Sequence, residues 1–252
     1  MTAANRPGPA LAPDSGIADR IQAQAQQCGV SLPDGAAPRL AHYLALLQQW
    51  NRVYNLTAVE GLDASLTLHL ADCLAVLPAL ADLHARITPC AGTGQALEQL
   101  DVGSGGGLPV IVFALALPQV NFTCVDTVQK KCAFLEQAAL QLKLANLRVV
   151  HARVEQMRPG QRGRPTQFDV VSARAFAALD KLVRLSQPLL APGGWWFAMK
   201  GQPPHDEIAT LAASGLLAAQ AQPHIQGVTV PGLDAQRCIV TVPHLPNTRP
   251  KP

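Results

Sequence analysis

A chain of 252 residues, 48% of them hydrophobic, suffices for one large α/β domain or one domain with a helical extension, and it argues against global disorder. A formal net charge of +3 neither requires nor excludes a nucleic-acid partner, so only the distribution of charge is informative. No apolar run approaches the roughly 20 residues that cross a bilayer, and Met1 to Ser15 has only Arg6 and no apolar signal core. Cys28, Cys73, Cys90, Cys124, Cys132 and Cys238 are scattered without a Cys-x-x-Cys pair. These features predict a cytoplasmic protein with reduced, buried thiols and no metal or membrane partner.

In chain order, residues 1–15 read as a frayed tail. Ile17 to Gln27 forms a weakly amphipathic helix, and a clearer one follows Asp34, with Leu40, Tyr43, Leu44 and Leu47 on one face up to Trp50-Asn51. A third helix spans Ala64 to Val76, after which Pro78 and the stretch from Pro89 to Gln95 break the pattern. Residues 16–95 are therefore expected to form an N-terminal helical subdomain, and residues 96–246 a second unit.

From Leu97 the signals alternate. Strands are predicted at Glu98 to Val102, Asn121 to Val125, Arg148 to His151, Phe168 to Ser172 and Trp195 to Lys200. Helices are predicted at Leu108 to Leu117, Gln129 to Leu142 and Ala177 to Leu190, with a turn at Val154 to Met157. Such alternation implies parallel strands with helices on both faces. Val228-Thr229-Val230 and Arg237 to Val242, joined through Pro231 to Asp234, add an antiparallel hairpin. The expected fold is a Rossmann-like α/β domain of the class I methyltransferase type. It has a mostly parallel seven-stranded sheet ending in that hairpin, plus the helical extension.

Asp101 ends the first strand, and Gly103, Gly105 and Gly107 follow at two-residue spacing before a helix. Glycines suit a tight turn that a ligand must approach closely. The dinucleotide fingerprint requires glycine where Leu108 stands, and no Gly-Lys-Ser/Thr follows, so neither NAD nor a Walker phosphate loop fits. S-adenosyl-L-methionine fits, with its methionine moiety across the turn near Gly103 and Gly105. Asp126 ends the second strand, where a carboxylate can accept ribose hydroxyls or cap the segment beginning at Thr127. At the end of the third strand, Val154 (through its backbone) and Glu155 are placed either to meet the adenine or to form an ordinary surface loop.

Four strings share one resemblance. They are Trp50-Asn51-Arg52-Val53-Tyr54-Asn55-Leu56-Thr57-Ala58-Val59, the Asp101 to Pro109 loop, Ser172-Ala173-Arg174-Ala175-Phe176, and Lys200-Gly201-Gln202. Over Gly16 to Val242 the chain resembles the bacterial 16S rRNA (guanine-N(7)) methyltransferases, the ribosomal small subunit methyltransferase G or glucose-inhibited division protein B family. The resemblance implies an enzyme moving a methyl group from S-adenosyl-L-methionine to guanine N(7) of 16S rRNA, with that RNA or the small ribosomal subunit as partner. By motif it assigns cofactor contacts to Gly103, Leu108, Val154, Glu155 and Arg174, and the ribose to Asp126. No catalytic base is expected, because N(7) carries a free lone pair. A monomer is expected.

The family pattern is not matched everywhere. Val110 stands where the family has a glycine, and Leu68-His69-Leu70-Ala71-Asp72-Cys73-Leu74 lacks the family's arginine and serine. His69 and Asp72, three residues apart, are expected to share a helix face and hydrogen-bond to each other. His84 to Leu97 reads as a surface insertion. Arg148, Arg153, Arg158, Arg162 and Arg164 form a run that is either a solvated loop or a phosphate-facing patch. Tyr54, Phe176, Trp195 and Trp196 are the aromatic candidates for stacking a base. The competing functions are a methyltransferase of a small molecule or protein, and a non-catalytic RNA-binding assembly factor on the same fold.

Overall fold

In the computed structural model, residues 15–57, 61–87, 89, 92–160, 165 and 167–245 are described. Two helices, α1 (Ser15–Gln27) and α2 (Ala36–Tyr54), precede a helical stretch made of α3 (Leu62–Ala64), a π-helical turn (Ser65–Leu70), α4 (Ala71–Ala75) and α5 (Leu77–Arg86). The sheet unit follows as β1 (Glu98–Val102), α6 (Val110–Ala116), β2 (Asn121–Asp126), α7 (Gln129–Gln141) and β3 (Leu147–His151). A 3-10 turn (Val154–Gln156) leads to β4 (Phe168–Arg174), α8 (Leu179–Ser186), β5 (Leu190–Lys200), α9 (His205–Ala213), β6 (His224–Val228) and β7 (Arg237–Pro243).

The seven strands lie in the order β3-β2-β1-β4-β5-β7-β6. Pairings among the first five are parallel, whereas β7 runs antiparallel to β5 and β6 antiparallel to β7. This is the Rossmann-like α/β arrangement expected from the sequence, with strand order reversing between β1 and β4. Connections leave a switch point of this kind in opposite directions, so a crevice opens outside the carboxyl ends of those strands.

Consecutive strand residues face opposite sides and build two cores. Cys124, Val170, Phe197 and Ile239 join the core shared with α1, α2, α6 and α7, whereas Val125, Val171, Trp196 and Val240 join the one beneath α8 and α9. The N-terminal helices thus pack on one face of the sheet within a core that includes the sheet's own residues. Two long-range contacts tie them to the far end of the chain: Gln24 Nε2 donates to Pro231 O at 3.2 Å, and Arg237 Nε to Asp72 Oδ1 at 2.9 Å.

Several expectations shift. The helix before Pro78 ends at Ala75, as expected, but a new helix, α5, starts at once, with Pro78 in its first turn, where a missing N–H costs nothing. Leu68–Ala85 becomes an 18-residue helical stretch of mean hydropathy 1.3, closer to span length than the sequence suggested, although 56% of it is buried inside the fold. The sixth strand lies at His224–Val228 rather than Val228 to Val230, and α9 was not foreseen. β5 begins five residues earlier, at Leu190, and the register between β4 and β5 shifts beside Gly194, where a Cβ would meet Asp169 O at 2.8 Å. His84, expected on a surface insertion, is buried, with Nε2 2.8 Å from Gln99 Oε1.

Candidate active site

The carboxyl ends of β1 and β2 are joined by a backbone hydrogen bond and by one carboxylate. Gly103 N donates to Val125 O at 2.9 Å, bringing the loop after β1 onto β2. Asp126 Oδ2 accepts Gly105 N at 2.9 Å and Oδ1 accepts Val128 N at 2.8 Å. The cap residue of α7 is Val128, so Asp126 fixes the chain leading into the helix rather than capping it from Thr127. Each Asp126 oxygen retains a second lone pair.

Beneath the loop, Asp101 is 1% exposed. Its Oδ2 accepts Ser104 Oγ at 2.6 Å, its Oδ1 accepts Ser172 Oγ at 2.8 Å, and Ser172 Oγ in turn accepts Gln99 Nε2 at 3.0 Å. Burial outweighs the two hydroxyls and pushes the carboxyl up to about 6. From the helical side, the buried Tyr43 hydroxyl donates to Gly106 O at 2.6 Å. Gly103 has φ +73°, and a Cβ there would lie 2.6 Å from Phe176 Cδ2. Gly107 has φ +96°, and a Cβ there would meet Leu135 and Ile111 at 2.7 and 2.8 Å. The close-packing requirement at the start of α6 therefore falls on Gly107, while Val110 is fully buried in the helix.

Two cavities open here. One, of about 310 Å³, is lined by Gly103, Asp126, Val154, Glu155, Phe176 and Lys131, among others. The second, of about 480 Å³, is lined by Leu68, His69, Asp72, Arg174, Lys200 and Arg237, among others. Ala175 separates them at φ +52°, a conformation rare for a residue with a Cβ. The turn sends Arg174 to one cavity and Phe176 to the other.

Arg174 is held from the helical side: Nη2 lies 2.9 Å from His69 Nδ1, and Nη1 lies 3.3 Å from His69 O and 3.5 Å from Cys73 Sγ. A guanidinium only donates, so His69 Nδ1 accepts, and its Nε2 carries the proton toward Thr57 Oγ1 at 3.2 Å. Burial, and then the Arg174 cation, hold the imidazole below its usual 6.5 against the pull of Asp72. His69 and Asp72 do not bond to each other as expected. The π-helical turn and the distant partners redirect them, and Asp72 takes Arg237 instead. Lys200 Nζ binds Glu207 Oε2 at 2.7 Å and Ala177 O at 3.1 Å, while the same Glu207 oxygen accepts Leu179 N at 2.8 Å. The lysine thereby anchors the segment after Phe176.

The profile of the family described as rRNA small subunit methyltransferase G matches residues 36–231. The chain belongs to that family. Relatives called ribosomal RNA small subunit methyltransferase G include one from Paracidovorax citrulli, 47% identical over 224 residues and covering 87% of each chain. Another, from Acidovorax ebreus, is 48% identical over 216 residues, covering 86% of this chain and 90% of the relative. A solved SAM-dependent methyltransferase from Aquifex aeolicus superposes with a TM-score of 0.49 at 14% identity, over 72% of this chain and 93% of that one.

In this chain, four of the seven residues assigned to the cofactor (Gly103, Asp126, Val154 and Glu155) line one cavity. Gly105 joins it through its bond to Asp126. Leu108 is partly buried against the helical core, and Arg174 lines the neighbouring cavity. The arginine run is divided: Arg153 pairs with Glu155 at 3.6 Å, and Arg158 donates to Glu155 O and Met157 O. Arg162 and Arg164, like Ala58, Val59, Cys90 and the tail up to Asp14, lie outside the described residues. Among the aromatic candidates, Trp196 is fully buried with Nε1 on Ser186 Oγ at 2.9 Å, Trp195 packs against the first core, and Tyr54 packs on Trp50. Phe176 alone of the four lines either cavity. Among the described residues no group of three His, Cys, Asp or Glu side chains is placed to hold a metal. Thr57 and the Asp72–Arg237 pair escaped the sequence reading, although Thr57 lies within the Trp50–Val59 string.

Proposed function

We propose that this chain transfers a methyl group from S-adenosyl-L-methionine to N(7) of a guanine in 16S rRNA, as a cytoplasmic monomer acting on the RNA or the small subunit. The observation that carries this is the pair of adjoining cavities at the β1–β4 switch point. The smaller fits the cofactor. Asp126 keeps lone pairs for ribose hydroxyls, and Val154 opens a 3-10 turn whose first N–H groups have no partner within the turn and can meet adenine. Leu108 would support the loop from behind. Helical segment 16–95 and sheet unit 96–246 both contribute, since the second cavity takes His69 from one and Arg174 from the other.

The bound cofactor supplies an electrophilic methyl on a sulfonium. Guanine N(7) needs no deprotonation, so the protein's work is alignment, which accounts for much of the acceleration in such reactions. Arg174 has five N–H donors and commits three contacts to His69 and Cys73, leaving N–H groups for the guanine oxo oxygen or the cofactor carboxylate. Lys200 is committed to Glu207 and Ala177 O, so its role is support. Phe176 offers a ring in the wall of the smaller cavity.

The test is incubation with labelled S-adenosyl-L-methionine and naked 16S rRNA, intact small subunits, free nucleotides or bulk protein, followed by mapping of the modified base. Label recovered as 7-methylguanosine in the RNA is expected. Label confined to small molecules or protein would overturn the assignment.

A further inference from the structure

We infer that the polar cavity at the C-terminal turn of α2 binds a phosphodiester of the RNA strand that carries the target base, an inference that rests on the rRNA reading above. The cavity, about 330 Å³, is lined by Gln48, Asn51, Arg52, Asn55, Thr57 and Ser65, together with Leu47 and Gly61. It shares no lining residue with the two cavities at the sheet edge.

Its chemistry is that of a donor surplus. Gln48 Nε2 is buried without a hydrogen-bond partner, and an amide N–H in that state calls for an acceptor. Asn51 Oδ1 is taken by Thr57 N at 2.8 Å, so the amide N–H groups are what Asn51 has left to offer. Arg52 is exposed, and its guanidinium enters no ion pair among the described residues. Ser65 Oγ already donates to Gly61 O at 2.8 Å. Among the described residues that line the cavity there is no carboxylate. A cation and amide donors, with no carboxylate among the described lining residues, suit an anionic group that only accepts, and a phosphodiester has two such oxygens.

Position favours the RNA over the cofactor's own carboxylate. Thr57 lines this cavity and bonds His69, which lines the cavity of Arg174. One hydrogen bond therefore separates the donor pocket from the place proposed for the base, so that one strand can occupy both. Arg52 also stands in the open, where a polymer backbone can reach it.

The experiment compares Arg52→Gln and Gln48→Glu with wild type in steady-state methylation of 16S rRNA or small subunits at several salt concentrations, with cofactor affinity by calorimetry. Arg52→Gln changes an exposed side chain and leaves the fold intact, which keeps the test valid if Gln48→Glu misfolds. Each variant is expected to raise KM for the RNA substrate about tenfold, and Arg52→Gln to reduce the slope of log KM against log salt by about 1. Cofactor affinity stays at the wild-type value. Variants with wild-type KM and slope overturn the pocket and leave the methyltransferase reading standing. So does a loss of cofactor affinity at unchanged KM, which assigns the donors to the cofactor carboxylate. Wild-type protein that methylates no RNA overturns both.

Discussion

The Arg174 guanidinium donates to His69 Nδ1 across 2.9 Å although 105 positions separate the two residues in the chain. The contact requires a neutral imidazole, because a protonated Nδ1 has no lone pair to offer. His69→Leu removes the acceptor and is expected to lower kcat/KM by at least roughly tenfold, the scale of a hydrogen bond to a charged group. His69→Gln, whose carbonyl can face Arg174 and whose amide can face Thr57, should stay within a few-fold of wild type. The pH dependence has a definite sign. The folded pKa lies below 6.5, so as pH falls from 6.5 the unfolded chain takes up the proton first, and the contribution of His69 to stability declines. Activity follows as the folded imidazole titrates at lower pH, and His69→Gln should flatten that acid limb. Identical acid limbs in wild type and His69→Gln would remove His69 from the account.

Gly103→Ala tests the cofactor loop. The new Cβ would demand φ +73° and lie 2.6 Å from Phe176 Cδ2, so the ring must move out of the cavity wall. Calorimetry should show S-adenosyl-L-methionine binding weakened at least roughly tenfold, with about 1–2 kcal/mol lost from stability. Wild-type affinity would place the cofactor elsewhere.

Asp101 should reveal itself in unfolding curves. Its carboxyl is raised from 3.8 to about 6, so its contribution to stability is fully present below about 3.8 and is lost as pH rises through about 6. The loss is on the order of 3 kcal/mol. Asp101→Asn can still bond Ser104 and Ser172 without carrying charge. Its stability relative to wild type should therefore climb between pH 4 and 7 and then level off. A difference independent of pH would show that the carboxyl titrates normally.

Lys200→Met leaves Glu207 with Leu179 N alone and frees Ala177 O. With both side chains partly exposed, at 17% and 32%, the loss is expected at about 1–2 kcal/mol. It should be read as a lower urea midpoint at unchanged slope, accompanied by a fall in kcat/KM as the Arg174–Ala177 segment loosens. An unchanged midpoint would mean that the ion pair carries no load.

Strands read well from sequence wherever both faces are buried. Glu98–Val102 matches its prediction, and Asn121, Phe168 and Lys200 are predicted strand ends that hold. β6 was misplaced because it is an edge strand in which His224, Gln226 and Gly227 are exposed, so the stronger β-branched signal of Val228 to Val230 drew the prediction downstream. α9 buries Leu211 alone, too little apolar face for periodicity to register. At the site, Gly103 and Asp126 were legible because both stand at strand ends. The bonds of His69 to Thr57 and of Asp72 to Arg237 were not, because a π-helical turn alters which residues share a face and the partner in the second case is 165 positions away.

The bonds from Gln24 to Pro231 and from Asp72 to Arg237 have a consequence for how the chain is made. Translation delivers α1 to α5 first, but their apolar face is completed only by α6 and α7, and their latch lies more than 160 residues downstream. The nascent helices therefore emerge with greasy surface uncovered, and closure waits for Pro231 and Arg237 to leave the exit tunnel. Stalled or truncated chains ending before those residues are the ones expected to need chaperone shelter.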